Sequence, residues 1–244
     1  MKSKDELLEH GYDGGFAAYC DHTVLRAYTK PEVIDEFCKE AIQYGAAAVC
    51  VCPLHVARAH KCLEKTGVKT ATVIGFPLGA TKTCVKVFEA VEAVKDGADE
   101  VDMVIDIGSL RAGDTQTVYN DIKAVVDAVK GKAGVKVIIE TCYLTDEEKV
   151  KACELCIAAG ADFVKTSTGT GTDGATVHDV ELLVKTAAGR IKVKASGNVA
   201  DRASAYAMIK AGADRLGVSR VPQIVSDDTS VISASKKNQP PKFN

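Results

Sequence analysis

The sequence predicts an α/β protein folded as a closed (βα)8 barrel, the TIM-barrel architecture, on three observations. A motif recurs four times: a glycine, then small or acidic residues, then an apolar run. Its glycine stands at residues 45, 97, 160 and 212. The copies lie 52 to 63 residues apart, enough for two strands and two helices each. Strand-like runs occupy the intervals, at residues 16–23, 68–76, 135–141 and 190–196. Eight alternating units favour a closed barrel over an open doubly wound sheet, the structural alternative.

Each repeated glycine follows a helical pattern, so it is interpreted as the left-handed residue that ends a helix before a strand. Helix starts are predicted from motifs that resemble capping boxes: Thr29 with Pro31 and Glu32, Thr145 with Glu148, and Thr176 with Asp179. The barrel is predicted as one domain over residues 16–226. A lead-in helix in residues 1–15 is expected before it, and a polar, flexible tail over residues 227–244 after it.

The composition excludes several classes of function. Hydrophobic residues make up 46% of the 244 residues, and 31 basic residues stand against 33 acidic ones, for a formal net charge of -2. A nucleic-acid binder would carry a basic excess, and a membrane protein an apolar run of about 18 residues. The N-terminus lacks the apolar centre of a signal peptide. We expect a cytosolic protein that binds a small metabolite, with its nine cysteines as reduced thiols.

Three charged residues, Asp102, Lys165 and Lys194, lie late in the apolar patterns of predicted strands 4, 6 and 7. The carboxyl ends of barrel strands form the rim where active sites lie. Only about 1 free lysine amine in 2,500 is neutral at pH 7, so a nucleophilic lysine needs a lowered pKa. Burial and a second ammonium about 4–6 Å away both lower it. Neighbouring strands lie about 4.8 Å apart, which brings Lys165 and Lys194 within that range.

The same three residues could instead form a structural ion network that fills the barrel. Lys192 illustrates that interpretation, because by strand parity it shares a face with Lys194 and is expected to pair with an interior carboxylate such as Glu140. Cys50 ends predicted strand 2 near the rim, where its thiol either packs in the core or faces the pocket. The residues alone leave these alternatives open.

Five phrases on five predicted strands resemble the deoxyribose-phosphate aldolase family. They are DHT at 21–23, TVIGFPLG at 72–79, ADEVDMV at 98–104, KTSTG at 165–169 and KASG at 194–197. The resemblance extends from about residue 19 to residue 220. Members of the family reversibly split 2-deoxy-D-ribose 5-phosphate into D-glyceraldehyde 3-phosphate and acetaldehyde. The resemblance implies covalent catalysis through a lysine imine, with no metal or organic cofactor.

By this resemblance, Lys165 forms the Schiff base and Lys194 lowers its pKa. Asp102 would assist proton transfer, and Asp21 would support the polar network from strand 1. The substrate phosphate would contact backbone amides and small side chains after strands 6, 7 and 8. The positions implied for phosphosugar binding are Thr166, Thr168, Gly169, Gly171, Gly197, Asn198, Gly217, Ser219 and Arg220. The family also implies a homodimer or a homotetramer.

The sequence departs from the family pattern at three places. Asn198 stands where a second glycine usually follows the strand-7 lysine, and it adds bulk to the predicted phosphate site. Arg220 replaces a frequent serine and either contacts the phosphate or turns to solvent. Many members end in a tyrosine that reaches the active site, whereas this sequence has no tyrosine after Tyr206.

Other motifs in the sequence suggest other kinds of site. Residues 169–174, GTGTDG, fit the dinucleotide-binding pattern, but Lys192 and Lys194 occupy the region where an NAD site needs an acidic residue, so a phosphate loop is preferred. Cys153 and Cys156 have no second cysteine pair, which argues against zinc. The functional alternatives are another Schiff-base barrel aldolase and a phosphate-binding barrel without catalysis. The strand phrases favour the aldolase named above.

Overall fold

Eight parallel strands close into a barrel in the computed structural model, which confirms the predicted fold class. The structure describes residues 15–226. The strands are β1 Cys20–Val24, β2 Ala48–Val51, β3 Lys69–Ile74, β4 Glu100–Val104, β5 Gly134–Ile138, β6 Phe163–Lys165, β7 Lys192–Ser196 and β8 Arg215–Val218. Each strand pairs with the next, and β8 pairs with β1. The alternative of an open doubly wound sheet is therefore wrong.

Helices alternate with these strands as predicted. Within residues 15–226 they are α1 Pro31–Tyr44, α2 Val56–Leu63, α3 Thr83–Lys95, α4 Ile107–Arg111, α5 Thr115–Val129, α6 Asp146–Ala159, α7 Val177–Ala187, α8 Arg202–Lys210 and α9 Val221–Ser226. Short 3-10 helices span Phe16–Tyr19, Pro53–His55 and Thr141–Tyr143. In this part of the chain no helix has both the length and the apolar character needed to cross a bilayer.

The predicted lead-in helix and the predicted tail lie outside the described residues, apart from Gly15 at the end of the lead-in segment. The division of the chain at residues 15 and 226 stays a prediction. The expectation about a C-terminal tyrosine also falls outside the described residues.

The four repeated glycines have the predicted left-handed backbone. Their φ angles are 71° at Gly45, 97° at Gly97, 81° at Gly160 and 107° at Gly212. At Gly97 a side chain would also meet the His60 ring, since an added Cβ would lie 2.4 Å from it. Only glycine combines this conformation with so close an approach, so the repeat marks the points where the chain leaves the helix layer and returns to the barrel.

The predicted helix starts are confirmed at two of three positions. Thr145 forms a full capping box with Glu148, and the Thr176 side chain accepts a hydrogen bond from a backbone amide of α7. The prediction at Thr29 is wrong, because α1 begins one residue later with Lys30 as its N-cap and no side-chain cap. The proline at the first helical position there fixes the start through its own backbone angle.

Two predicted strands extended too far. The apolar run from residue 16 begins as a 3-10 helix, Phe16–Tyr19, and becomes strand only at Cys20. Predicted strand 5 ends at Ile138, and Glu140 then takes a left-handed conformation before the 3-10 helix Thr141–Tyr143. At Phe16–Tyr19 a largely buried 3-10 turn gives the same apolar pattern as a buried strand, and after β5 the residues 139–141 stay buried although the strand has ended.

Strand parity divides the apolar residues into two groups. Side chains that point outward pack with the helices in one large core, which includes Val49, Met103, Val137, Val164 and Leu216. A small cluster lies inside the barrel, formed by Ala48, Cys50, Ala71 and Val73 with Leu25 and Phe76 against it. The rest of the barrel interior carries charge, at Asp21, Glu100, Asp102, Lys136, Lys165 and Lys194. These buried charges define the candidate site.

Candidate active site

Side chains from β1, β4, β6 and β7 meet inside the barrel. Asp21, Asp102 and Lys194 are completely buried, and Lys165 is 3% exposed. The register pairs Lys165 with Lys194, which sets the two lysines side by side on adjacent strands. The fold thus brings together the four residues that the sequence singled out as a catalytic group.

Lys165 is paired with Asp102. Its Nζ donates a hydrogen bond to Asp102 Oδ2 at 2.7 Å. Burial lowers the pKa of Lys165, the neighbouring Lys194 ammonium lowers it further, and Asp102 opposes both without cancelling them. The Lys165 amine therefore gives up its proton more readily than an exposed lysine, which is the property that a nucleophilic amine requires.

Lys194 is held by two carboxylates. Its Nζ donates to Asp102 Oδ2 at 2.8 Å and also to Asp21 Oδ2. Burial alone would lower the pKa of Lys194, but Asp102 and Asp21 outweigh burial and raise it above the ordinary lysine value. Lys194 therefore holds its proton more tightly than Lys165 does. The two amines share one oxygen, Asp102 Oδ2, so a proton has a direct path between them.

A third buried lysine, Lys136 on β5, completes the group and was missed at the sequence level. Its Nζ lies 2.7 Å from Asp102 Oδ1, 2.6 Å from Glu100 Oε2 and 3.7 Å from Asp21 Oδ2. Burial alone would lower its pKa, but these three carboxylates raise it well above the ordinary range. The sequence did carry a signal, since Lys136 lies inside the apolar run GVKVI just as Lys165 and Lys194 lie inside theirs.

The interior charges balance when Lys165 is neutral. Besides Lys165, the network contains three carboxylates and three strongly basic groups, namely Asp21, Glu100 and Asp102 with Lys136, Lys194 and Arg215. Lys69 also contacts Glu100, at 2.8 Å, but about half of its side chain is exposed and water screens its charge. A proton on Lys165 is thus an excess buried charge. The ion network proposed as an alternative to catalysis exists, and it favours the neutral amine.

Lys165 lines a cavity of about 360 Å³ at the carboxyl ends of the strands. Seven of the positions predicted for substrate binding line the same cavity: Thr168, Gly169, Gly197, Asn198, Gly217, Ser219 and Arg220. Arg26, Tyr28, Phe76 and Thr170 line it too and were missed. They lie in the loops after β1, β3 and β6, which come together only in the folded barrel.

A second, larger groove of about 620 Å³ opens at the opposite end of the barrel, where β4, β5 and β6 begin. Its lining mixes acidic and basic side chains, among them Asp99, Lys123, Asp127 and Asp162. It contains none of the buried lysines. The volume of an opening therefore does not identify the active site. Barrel active sites lie at the carboxyl ends of the strands, where the cavity of Lys165 lies.

Two predicted binding positions lie outside the cavity lining. The Thr166 hydroxyl donates to the Ser196 carbonyl at 3.2 Å and accepts from the Ser196 amide at 3.2 Å, so it joins β6 to β7. Gly171 faces away from the cavity, because an added Cβ there would lie 3.0 Å from Cys142 Sγ and 3.3 Å from Glu140 Oε1. Both positions therefore lie behind the loop that lines the cavity.

Asn198 adopts a left-handed backbone at the position where the family usually has a glycine, and it still lines the cavity. Its φ is 60°, which asparagine tolerates better than most residues, and its Nδ2 donates to Asp173 Oδ1. The loops after β6 and β7 touch here, since a Cβ on Gly174 would lie 2.4 Å from the carbonyl carbon of Gly197. Arg220 is exposed and lines the cavity, so its guanidinium is available to an anion.

Cys50 follows one of its two expected alternatives, packing in the core, whereas Lys192 differs from its expected surroundings. Cys50 is completely buried in the small apolar cluster and is absent from the cavity lining; burial, aided by Asp102, raises the pKa of its thiol to about 11. Lys192 is exposed and lies 5.4 Å from the centre of the Phe163 ring. The expected pairing of Lys192 with Glu140 is wrong, because Lys192 lies at the start of β7 and Glu140 beyond the end of β5.

Among residues 15–226 no three His, Cys, Asp or Glu side chains are grouped in a way that could hold a metal ion. The chemistry that this arrangement supports is that of amines and carboxylates. A nucleophilic amine at the base of a cavity, with a carboxylate and a second ammonium beside it, suits reversible addition to a carbonyl.

Comparison with known proteins gives a consistent family. A protein-family model described as DeoC/LacD family aldolase matches residues 15–219. A deoxyribose-phosphate aldolase of Thermococcus gammatolerans is 58% identical over 212 residues, covering 86% of this chain and 94% of the relative. One of a Geobacillus species is 54% identical over 218 residues, covering 89% and 98%.

Solved structures agree with the sequence relatives. An aldolase named QR15 is 44% identical and superposes with a TM-score of 0.83, covering 87% of this chain and 95% of that one. A tetrameric deoxyribose phosphate aldolase from Aeropyrum pernix is 31% identical with a TM-score of 0.82, covering 95% and 100%.

Proposed function

This chain belongs to the DeoC/LacD family of aldolases, and from that premise we propose that it is a deoxyribose-phosphate aldolase. It reversibly cleaves 2-deoxy-D-ribose 5-phosphate into D-glyceraldehyde 3-phosphate and acetaldehyde. The observation that carries the proposal is the pair of buried amines, Lys165 and Lys194, which share Asp102 Oδ2 at 2.7 and 2.8 Å beside a cavity of about 360 Å³. The names and high identity of the relatives supply the substrate.

In the forward direction the neutral Lys165 amine adds to the C1 aldehyde of the open-chain sugar. Loss of water from the carbinolamine gives a protonated imine. The C2–C3 bond then breaks as the C3 hydroxyl loses its proton, which releases D-glyceraldehyde 3-phosphate and leaves the bond electrons in an enamine. A proton added at C2 gives the imine of acetaldehyde, and water releases acetaldehyde and the free Lys165 amine.

Asp102 and Lys194 serve the proton steps. Asp102 Oδ2 accepts from both amines, so it can take a proton as Lys165 attacks and return one as the carbinolamine loses water. Lys194 keeps its charge because Asp21 and Asp102 raise its pKa. Its ammonium therefore disfavours a second positive charge on Lys165 and can donate a proton through the shared oxygen. Asp21 positions Lys194 rather than Lys165.

The phosphate end of the substrate is proposed to lie against the loops after β6, β7 and β8. Gly169, Gly197 and Gly217 let the backbone approach an anion closely, and Ser219 adds a hydroxyl. Arg220 and Arg26 line the same cavity and supply positive charge. Phe76, on the opposite wall, packs with the apolar cluster and shields the reacting carbon from water.

We propose a homodimer or a homotetramer, supported by the Aeropyrum pernix relative that is described as tetrameric.

A cytosolic location also stays a proposal. It is supported by the nine cysteines, none of which forms a disulfide bond.

The proposed activity is tested by incubating the full chain with 2-deoxy-D-ribose 5-phosphate and measuring D-glyceraldehyde 3-phosphate with a coupled dehydrogenase. Replacing Lys165 with Leu removes the nucleophile, so the rate is expected to fall by about a thousandfold or more. Lys192→Leu is the matched control: it removes a β7 lysine that is exposed at the other end of the barrel, and it should retain the wild-type rate.

Two outcomes would contradict the proposal. Cleavage of a ketose phosphate in place of the deoxysugar would indicate a different Schiff-base aldolase. Binding of the sugar phosphate without any cleavage by the wild-type chain would indicate a phosphate-binding barrel.

A further inference from the structure

Glu140 is a buried carboxylate that the catalytic network does not use. It follows β5, is 2% exposed and has a φ of 54°, in the left-handed region that non-glycine residues rarely adopt. It does not line the cavity of Lys165. Strained, buried polar residues of this kind persist where the surrounding structure makes use of them.

The contacts of Glu140 are directed at one backbone amide. Both carboxylate oxygens accept from the Thr168 N–H, at 3.2 and 3.3 Å, and the Cys142 thiol lies 3.9 Å from Oε1. Within residues 15–226 no basic side chain forms an ion pair with it, unlike Asp21 and Asp102. A buried charge without a cation is costly unless its hydrogen bonds compensate, so the Thr168 amide is its principal stabilising partner.

The amide that Glu140 holds belongs to the loop that is proposed to receive the phosphate. Thr168, Gly169 and Thr170 line the cavity in succession. The Thr168 hydroxyl lies 2.9 Å from the Thr170 hydroxyl and accepts from the Thr170 amide at 3.1 Å, so fixing Thr168 also fixes Thr170. Gly171 then packs on Glu140, since an added Cβ would lie 3.3 Å from its Oε1.

We propose that Glu140 is a positioning residue that holds the Thr168–Gly169–Thr170 loop in the conformation that binds the substrate phosphate. This inference rests on the proposed function. The carboxylate lies behind the loop and outside the cavity, so a bound phosphate meets the backbone and hydroxyls of the loop and not the negative charge. Glu140 therefore acts on phosphate recognition and leaves the covalent chemistry at Lys165 to the separate network around Asp102.

Two substitutions of Glu140 distinguish a role in positioning the loop from a general effect on the stability of the fold. Glu140→Gly removes the carboxylate and also relieves the positive φ, because glycine adopts this backbone freely. We expect KM for 2-deoxy-D-ribose 5-phosphate to rise about tenfold, which corresponds to about 1.4 kcal/mol of binding free energy. The inhibition constant of inorganic phosphate should rise by a similar factor. Glu140→Gln keeps one acceptor oxygen for the Thr168 amide and should show a smaller rise in both constants.

The control is the substrate without phosphate. On 2-deoxy-D-ribose the kcat/KM of Glu140→Gly should stay within about twofold of wild type, because a phosphate-binding loop contributes only to the phosphorylated substrate. An equal loss on both substrates, or an unchanged KM and phosphate inhibition constant, would overturn the inference. If Glu140→Gly melts below the assay temperature, Glu140→Gln carries the same comparison.

Failure of the inference is distinguishable from failure of the proposed function. Borohydride reduction with acetaldehyde reports on Lys165 without any phosphate. Wild-type protein that is labelled and cleaves both sugars, with Glu140 variants that bind phosphate normally, contradicts only the role of Glu140. Wild-type protein that neither labels nor cleaves contradicts the proposed function itself.

Discussion

At the scale of the residue, the central feature is the protonation state of Lys165. Burial and the Lys194 ammonium both lower its pKa, and Asp102 opposes them. The two neighbouring lysines differ because more carboxylate oxygens surround them. Lys194 contacts Asp21 and Asp102, and Lys136 contacts three carboxylates, so both have raised pKa values. The same residue type thus has a lowered pKa at one position and a raised pKa at two others inside one barrel.

Replacing Lys194 with Leu tests this assignment. The variant loses one ammonium and leaves Asp21 and Asp102 with fewer cations, so Lys165 is expected to keep its proton as the remaining counterion. The pKa of Lys165 then rises, and the neutral fraction falls about tenfold for each unit. We expect kcat/KM at pH 7 to fall at least tenfold. The acidic limb of the profile of kcat/KM against pH should move to higher pH.

Lys69→Leu is the control for the Lys194 variant. Lys69 contacts the same network at Glu100 but is about half exposed, so its removal should change kcat/KM by no more than about twofold. A Lys194→Leu enzyme with an unshifted pH profile would refute the proposed effect of Lys194 on Lys165.

The sequence predicted the central site residues because a charge inside an apolar strand has few structural explanations. Asp102, Lys165 and Lys194 were selected on that pattern, together with the family phrases. Lys136 follows the same pattern and was missed, and Lys192 has the interior parity but is exposed. Strand parity gives the face on which a side chain lies. It gives neither the depth along the barrel nor the partner, which depend on register with the neighbouring strands.

At the scale of the element, helix caps offer a direct comparison. α6 begins with a complete capping box at Thr145, whereas the N-cap of α1, Lys30, provides no side-chain hydrogen bond. Thr145→Ala should lower the free energy of unfolding by about 1 kcal/mol, and Lys30→Ser should raise it by a similar or smaller amount. Chemical denaturation of both variants measures these changes.

Neither cap residue lines the cavity of Lys165, so the aldolase activity of both variants should match wild type. A loss of stability on Lys30→Ser would contradict the account of that cap. It would mean that the Lys30 side chain stabilises α1 through its aliphatic stem or its charge.

The ends of helices and strands were predicted well where a single local interaction fixes them. The repeated glycines marked four helix ends because each adopts a left-handed backbone, which glycine does most readily. Predictions failed where two structures share one pattern, as at Phe16–Tyr19, a 3-10 helix whose apolar residues read like a strand. Glu140 was beyond reach for another reason. Its carboxylate accepts from the Thr168 amide, 28 positions away, and no local sequence signal reveals that contact.

At the scale of the whole molecule, closure of the barrel creates the substrate cavity. The β1–β8 pairing joins residues almost two hundred positions apart, as the Asp21 to Gly217 register shows. Alternating strands and helices were enough to predict this closure. The composition of the pocket wall was only partly predictable. Arg26 and Phe76 reach the cavity from loops after β1 and β3, which carry no binding motif of their own.

Buried ionisable groups make the stability of the whole barrel depend on pH. Burial lowers the pKa of His22, which stacks on Phe37, and its hydrogen bond with Glu40 opposes this only in part. An unfolded histidine has a pKa of about 6.5 and takes up its proton below that value, so acid favours the unfolded state. The free energy of unfolding should therefore fall as pH decreases below about 6.5.

A second loss of stability is expected at lower pH. Burial alone would raise the pKa values of Asp21 and Asp102, but the surrounding lysines outweigh it and lower both values. Their stabilising contribution is present above the unfolded pKa of about 3.9 and is lost progressively as pH falls from that value toward their lower pKa values in the folded state. Urea denaturation from pH 7 to pH 3 measures the first step and the onset of the second. His22→Phe, which keeps the stacking on Phe37, should remove the first step only, and an unchanged slope between pH 5 and 6.5 would contradict its assignment to His22.

The most direct test of the central claim is to trap the imine. Full-length protein is mixed with acetaldehyde and reduced with borohydride, and its peptides are then mapped by mass spectrometry. Because Lys165 alone among the three central lysines has a lowered pKa, the account predicts an ethyl group on Lys165, with Lys136 and Lys194 unmodified. An adduct on Lys136 or Lys194 instead, or none on Lys165, would contradict it.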